Sequence, residues 1–425
     1  MEQRRLTLSA RGGAVPLSPI RKLTPLADEA RKRGVEIFHL NIGQPDIRTP
    51  RPVIDAYRSF NAEVLAYSPS LGIPQLRQSI AGYYQRYGHP VTAQEVAVTV
   101  GGSEAIFFAL SALCDPGDEI LVREPFYANY IAFAAMISAK VVPIPSSLDN
   151  AFALPSREEI ARFITPRTKA ILYISPENPT GIIYDRKEMD TLRELCERYG
   201  LYLIADEVYR EFIYDEHVQF TSVLGLPGFE QHAILIDSVS KRFSSCGARV
   251  GCIVSFNTGV MELVDKFAQA RLCPPTVGQL AADAAYRMDP SYFIPIKDEY
   301  RRRRDALVAG LRAIPGVQFN VPDGAFYLMA RLPVTDAEDF CRFLLADFSL
   351  GGKTVMLTPG AGFYHTPDLG RNEVRIAYVL EQSKIEESVK ILSTALSQYT
   401  SSVQRNGRHE ESDAPKPETS HRRRA

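Results

Sequence analysis

Seven short apolar runs recur along the first two-thirds of the chain: Val96–Val100, Glu119–Val122, Lys140–Ile144, Ala170–Ile174, Leu201–Asp206, Ala233–Asp237 and Gly251–Phe256. Each is bounded by Gly, Pro, Asp or Ser, and stretches of helical periodicity lie between most of them. A run that is apolar on both faces suits a strand covered on both sides, so the pattern predicts an α/β fold built on a mainly parallel sheet clothed by helices. Ligands of such sheets gather beyond the carboxyl ends of the strands. The segment EAIFFALSALC after Ser103 is apolar on nearly every helical face, which predicts a buried helix. Glu299–Ala313, with its Arg301–Arg304 run, reads as a long amphipathic helix, and a second α/β region follows to about Ser397. A change of domain is expected near Tyr292–Tyr300. From Ser401 to Ala425 the sequence turns polar and aperiodic, the composition of a disordered tail.

Composition narrows the classes without choosing one. Of the 425 residues, 45% are apolar and 23% charged, the balance of an ordinary soluble protein of two or three domains. Lys and Arg total 49 against 50 Asp and Glu, for a formal charge of −1. That balance offers no general attraction to nucleic acid or an anionic membrane, and no apolar run is long enough to span a bilayer. Cys114, Cys196, Cys246, Cys252, Cys273 and Cys341 are scattered without a CxxC pair, which argues against a disulfide framework or a zinc site. The basic N-terminus lacks the apolar segment of a secretory signal, and a cytoplasmic enzyme is the expectation. No GxGxxG occurs, and Gly352-Lys353-Thr354 fails as a phosphate-binding P-loop because Asp347 occupies the earlier glycine position.

Candidate chemistry concentrates in ILIDSVSKRFSSCGARVG (Ile234–Gly251), where Ser238, Ser240, Lys241 and Arg249 crowd a polar turn between two strands. A lysine between strands is ordinarily a solvated charge. In a dry cleft it instead acquires a lowered amine pKa and can form a Schiff base with a carbonyl. Two hydroxyls and a guanidinium nearby could hold a phosphate. A lysine beside a phosphate cradle is what pyridoxal phosphate requires. A buried carboxylate would keep the cofactor's ring nitrogen protonated, and Asp206, ending the apolar strand LYLIAD, stands where one could be; a helix N-cap is the competing role. Tyr209 in DEVY and Asn178 in SPENPTG could bond the ring oxygen. Gly101-Gly102-Ser103-Glu104 opens the apolar helix with small residues, which lets backbone N–H groups approach a phosphate.

The ordered set NIGQPD, AYSPSLGIPQLR, GGSEA, EPFYANY, SPENPTG, DEVY, SVSKRFSSCGARVG, DGAFYLM and NEVRIAY resembles the class I/II aminotransferases, the fold-type I pyridoxal-phosphate enzymes, and most closely their aspartate aminotransferase-like branch. The resemblance runs from about Ser18 to Thr394. It implies a large domain with a seven-stranded sheet at 49–295, a smaller α/β domain from 18–48 and 296–400, an extension at 1–17 and the tail at 401–425. It also implies roles. Lys241 would be the Schiff-base lysine and general acid/base, and Asp206 would pair with the ring nitrogen. Tyr209 and Asn178 would bond the ring oxygen, while Ser238, Arg249 and the N–H groups of Gly102, Ser103 and Glu104 would hold the phosphate. Tyr127 would stack on the ring where many relatives carry Trp; this chain has no Trp. Tyr67 would reach the phosphate of a neighbouring subunit, which implies a homodimer with shared sites. Arg375 would clamp the α-carboxylate of the substrate, with Gly43 beside it. The implied reaction moves an amino group between an L-amino acid, aspartate or a related acidic one, and a 2-oxo acid such as 2-oxoglutarate. Aromatic amino acids or prephenate are the alternative substrates, and carbon–sulfur lyases share the fold. Arg271, near a segment that carries a partner-subunit arginine in other relatives, is a candidate reader of a distal carboxylate.

Overall fold

The computed structural model describes residues 6–215 and 217–412. Strand β1 is Glu36–His39. The seven apolar runs all become strands, here β2 (Val96–Thr99), β3 (Glu119–Arg123), β4 (Lys140–Ile144), β5 (Thr168–Ile174), β6 (Tyr202–Asp206), β7 (Ala233–Ser238) and β8 (Gly251–Val254). They form one sheet in the order β2-β8-β7-β6-β5-β3-β4. Every pairing is parallel except those of β8, which runs against both β7 and β2. Burial explains why these runs are apolar throughout: β2, β7 and β8 have no exposed position, because helices cover both faces. The apolar helix Gly101–Leu113 lies on one face, packed against β7, β8 and helix Thr258–Arg271.

The rest of the chain builds β9 (Gln318–Phe319), β10 (Tyr327–Arg331), β11 (Lys353–Met356), β12 (Thr358–Pro359) and β13 (Glu373–Ala377). Strands β12, β13, β10 and β9 form an antiparallel sheet, and β1 pairs in parallel with β11, so early and late parts of the sequence fold together. The amphipathic helix starts earlier than its sequence suggested, spanning Phe293–Arg312. Along it, Phe293 packs into the core beneath the large sheet, whereas Ile296 and Tyr300 pack into the core of the smaller sheet. That second core also takes in Ile174, Val208 and Tyr209, from the carboxyl ends of β5 and β6, so the smaller sheet sits against the rim where a ligand would bind.

One expectation needs correction. The last helix spans Gln382–Ser412, so the first part of the presumed disordered tail is helical. The helix is already nucleated by its packing on Phe293–Arg312 and runs on into this polar stretch. The remainder of the tail lies outside the described residues. Among the described residues no helix is long and apolar enough to cross a membrane.

Candidate active site

At the carboxyl ends of β5, β6 and β7 the chain encloses a cavity of about 500 Å³. Asp206, the last residue of β6, forms part of its lining and is only 4% exposed. Its carboxylate accepts hydrogen bonds from the Tyr130 phenol (3.0 Å) and the Val208 amide (3.4 Å). Burial outweighs both and pushes its pKa up to about 7. Asp206 thus accepts the Val208 amide as a cap would, yet its carboxylate is also buried in the cavity wall.

Beyond β7 the chain makes the single helical turn Val239–Arg242, capped by Ser238, whose Oγ accepts from the Ser240 amide at 3.1 Å. The two serine hydroxyls lie 2.7 Å apart. Lys241 follows on this turn, and its Nζ donates to the Gly43 carbonyl at 2.7 Å. Arg249, just before β8, adopts a left-handed backbone (φ 52°). Its guanidinium donates to the Cys246 carbonyl at 3.1 Å and lies over the start of the apolar helix. A Cβ on Gly101 would sit 2.4 Å from Nη2 of Arg249, and Gly101 itself has φ +74°; only glycine allows this approach. Gly102 and Ser103, at the same helix start, line the cavity too.

From the smaller sheet, β13 brings in Arg375, which is 1% exposed. Its Nη1 donates to Asn178 Oδ1 at 2.9 Å and its Nη2 to the Asn41 carbonyl, and its guanidinium lies 4.5 Å from the Tyr327 ring and 4.9 Å from the Phe363 ring. Burial draws its pKa below the ordinary arginine value. Its Nε, also buried, has no hydrogen-bond partner among the described residues. Tyr209 and Tyr327 join through their hydroxyls at 2.8 Å. Gly43 is required beside them, because a Cβ there would fall 1.7 Å from the Tyr327 hydroxyl. Tyr127 lines the opposite side, edge-on to Tyr130, and burial pushes its phenol up to about 12.

Residues 35–392 match the family described as aminotransferase class I and II. The chain belongs to the class I and II aminotransferases. It is 32% identical over 385 residues to an aspartate aminotransferase of Thermotoga maritima, covering 90% of this chain and 97% of that protein. It is 36% identical over 323 residues to an arginine–pyruvate transaminase of Pseudomonas aeruginosa, covering 74% and 80%. The crystal structure of the Thermotoga maritima aspartate aminotransferase superimposes with a TM-score of 0.83 at 31% identity, over 92% of this chain and all of that one. The protein is thus a transaminase of fold type I, and its cofactor is pyridoxal 5′-phosphate.

The cavity suits that cofactor on its own evidence. An aldehyde-bearing, phosphorylated pyridine needs an amine, an anion cradle and a carboxylate for its ring nitrogen. Lys241, the group of Ser238, Ser240 and Arg249 at a helix start, and the buried Asp206 supply all three in one space. Gly43, Gly102, Ser103, Tyr127, Asn178, Asp206, Tyr209, Ser238, Lys241, Arg249 and Arg375 all line the cavity. The side chains of Glu104 and Tyr67 do not line the cavity, in keeping with a role expected of the backbone N–H of Glu104 and of Tyr67 toward a neighbouring subunit. Glu104 turns back, its Oε2 accepting from the Val100 amide at 2.8 Å and from Arg271 at 2.7 Å. Tyr67 is 78% exposed and lies outside the cavity of its own chain. Arg271, the candidate reader of a distal carboxylate, is held within its own chain. Its guanidinium is taken up by Glu104 and the carbonyls of Ser70 (3.0 Å) and Val98 (3.4 Å), and it does not line the cavity.

Sequence reasoning assigned no role to Tyr130 or Tyr327, although both lie within motifs it quoted. Each is a tyrosine at an otherwise apolar, buried position, and a buried phenol needs a hydrogen-bond partner. That need was the available signal; the partners, Asp206 and Tyr209, come from distant parts of the chain.

Proposed function

We propose that this chain transfers an amino group between L-aspartate, or a closely related acidic amino acid, and a 2-oxo acid such as 2-oxoglutarate. The observation that carries the reading is Arg375: a buried guanidinium that lines the same cavity as the Lys241 amine. A guanidinium so placed binds a substrate carboxylate through charge-assisted hydrogen bonds and orients the α-carbon. The aspartate preference draws on relatives named aspartate aminotransferase.

Pyridoxal phosphate, when bound, supplies an electron sink for the pair released at the substrate α-carbon. The protein's share is position and proton transfer. Lys241 Nζ takes the α-proton and returns it on the far side of the exchange. Asp206 would hold the ring nitrogen as a carboxylate, steadied by Tyr130. Tyr209 and Asn178 would hold the ring oxygen, Tyr127 would cover the ring, and Ser238, Arg249 and the amides of Gly102, Ser103 and Glu104 would hold the phosphate. Gly43 leaves room for the substrate. We further read the working unit as a cytoplasmic homodimer in which Tyr67 reaches the partner's phosphate, with a large domain at 49–295 and a small one from 18–48 and 296–400.

The test combines Lys241→Ala with a donor panel. The variant should lose turnover and, with it, the visible absorbance of a lysine-linked cofactor; retained turnover would overturn the reading. With 2-oxoglutarate as acceptor, aspartate should outrun tyrosine and alanine. Release of pyruvate and ammonia without any acceptor would instead mark a lyase.

A further inference from the structure

Four cationic side chains line the cavity: Arg21, Lys241, Arg249 and Arg375. Three have work in the reading above, and each is already tied to the protein, Lys241 to the Gly43 carbonyl, Arg249 to that of Cys246 and Arg375 to Asn178. Arg21 is the remainder. Its guanidinium has no hydrogen bond or ion pair among the described residues, whereas the neighbouring Lys22 is committed to Glu338.

We infer that Arg21 reads the distal carboxylate of the substrate and so sets the preference for acidic amino acids. This inference rests on the acidic-donor reading above. Its backbone is well placed for the task. The Arg21 amide donates to the Ser18 carbonyl at 3.1 Å, its own carbonyl accepts from Thr24 at 3.0 Å, and Leu23, buried to 2% exposure, pins the turn that leads into helix Thr24–Lys32. A fixed backbone thus carries an uncommitted, solvent-exposed guanidinium in the cavity lining, free to meet an anion.

The alternatives within this chain are closed by geometry. Arg271 is neutralised by Glu104, and the helix start that faces the cavity offers Ser103, which has no charge. Nothing competes with a substrate anion for Arg21, since Asp206 is the one carboxylate among the described lining residues and it belongs to the wall at the end of β6. A dicarboxylate would therefore meet Arg375 with one end and Arg21 with the other, while a monocarboxylic donor would leave Arg21 to water.

Two measurements on the cofactor-loaded enzyme test this. Calorimetry compares binding of succinate, an unreactive dicarboxylate, with butyrate, and rapid kinetics compares the first half-reaction of aspartate with that of alanine. In Arg21→Gln both ratios should fall about ten- to hundredfold, the loss of one charge-assisted contact, and Arg21→Lys should recover part of each. If the parent enzyme favours succinate and aspartate and Arg21→Gln keeps both ratios, the assignment of Arg21 is overturned while the acidic-donor reading stands. If the parent enzyme favours neither dicarboxylate, that reading falls and the role of Arg21 falls with it.

Discussion

The phenol of Tyr130 donates a 3.0 Å hydrogen bond to Oδ2 of Asp206, and it is the one side-chain donor to that buried carboxylate among the described residues. The bond favours the ionised form, opposing the burial that raises the carboxyl. Tyr130→Phe removes a hydrogen bond to a charged group, an effect of about 1.5–3 kcal/mol. The carboxyl should then rise further, and pyridoxal phosphate should bind about ten- to hundredfold more weakly, as read by titrating the cofactor-free protein. An unchanged affinity would mean that Asp206 does not depend on Tyr130 for its charge.

A pH dependence follows from the same carboxylate. Its ordinary pKa of 3.8 is raised to about 7 in the folded, cofactor-free chain. Between those values the folded state holds a proton that the unfolded state has released, so stability falls as pH rises through that window. The penalty is complete above about pH 7 and reaches up to about 4 kcal/mol. Asp206→Asn cannot ionise. In the cofactor-free form it should melt near the parent at pH 4 and distinctly above it at pH 8; parallel melting curves at both values would refute the burial argument.

Arg271 and Glu104 form an ion pair at 2.7 Å with both side chains largely buried. Because Glu104 also accepts from the Val100 amide, the pair ties helix Thr258–Arg271 to the start of helix Gly101–Leu113. Arg271→Ala strands a carboxylate in that seam and should cost about 1–3 kcal/mol of stability. Its effect on aspartate and on alanine should be equal. A selective loss of aspartate activity would restore Arg271 as a specificity residue.

Much of this architecture is legible before any coordinates. All seven strands of the large sheet announce themselves because burial on both faces demands unbroken apolar runs, and Lys241, Asp206 and Arg249 stand out as polar residues placed at the ends of those runs. What stays hidden is pairing across distance. The turn of Glu104 toward Arg271 depends on how two helices approach, and nothing in GGSEA distinguishes a glutamate aimed at a ligand from one aimed at a neighbouring helix. Tyr327 is similar: its contact with Gly43 joins residues from opposite ends of the chain. The antiparallel direction of β8 is equally silent, since a buried strand has the same composition whichever way it runs.

That reversed strand has a mechanical consequence. Ser238 and Gly251 are paired neighbours in the sheet, so the chain leaves β7 and re-enters β8 at the same edge, and the loop between them is clamped at its base. Closing so short a loop on an existing strand pair costs little chain entropy. Lys241 and Arg249 ride on it and Ser238 forms its root, while Asp206 stands on a separate strand. The strand that carries Asp206 is itself paired with β7, so the clamped base also limits how far Lys241 and Arg249 can swing away from that carboxylate.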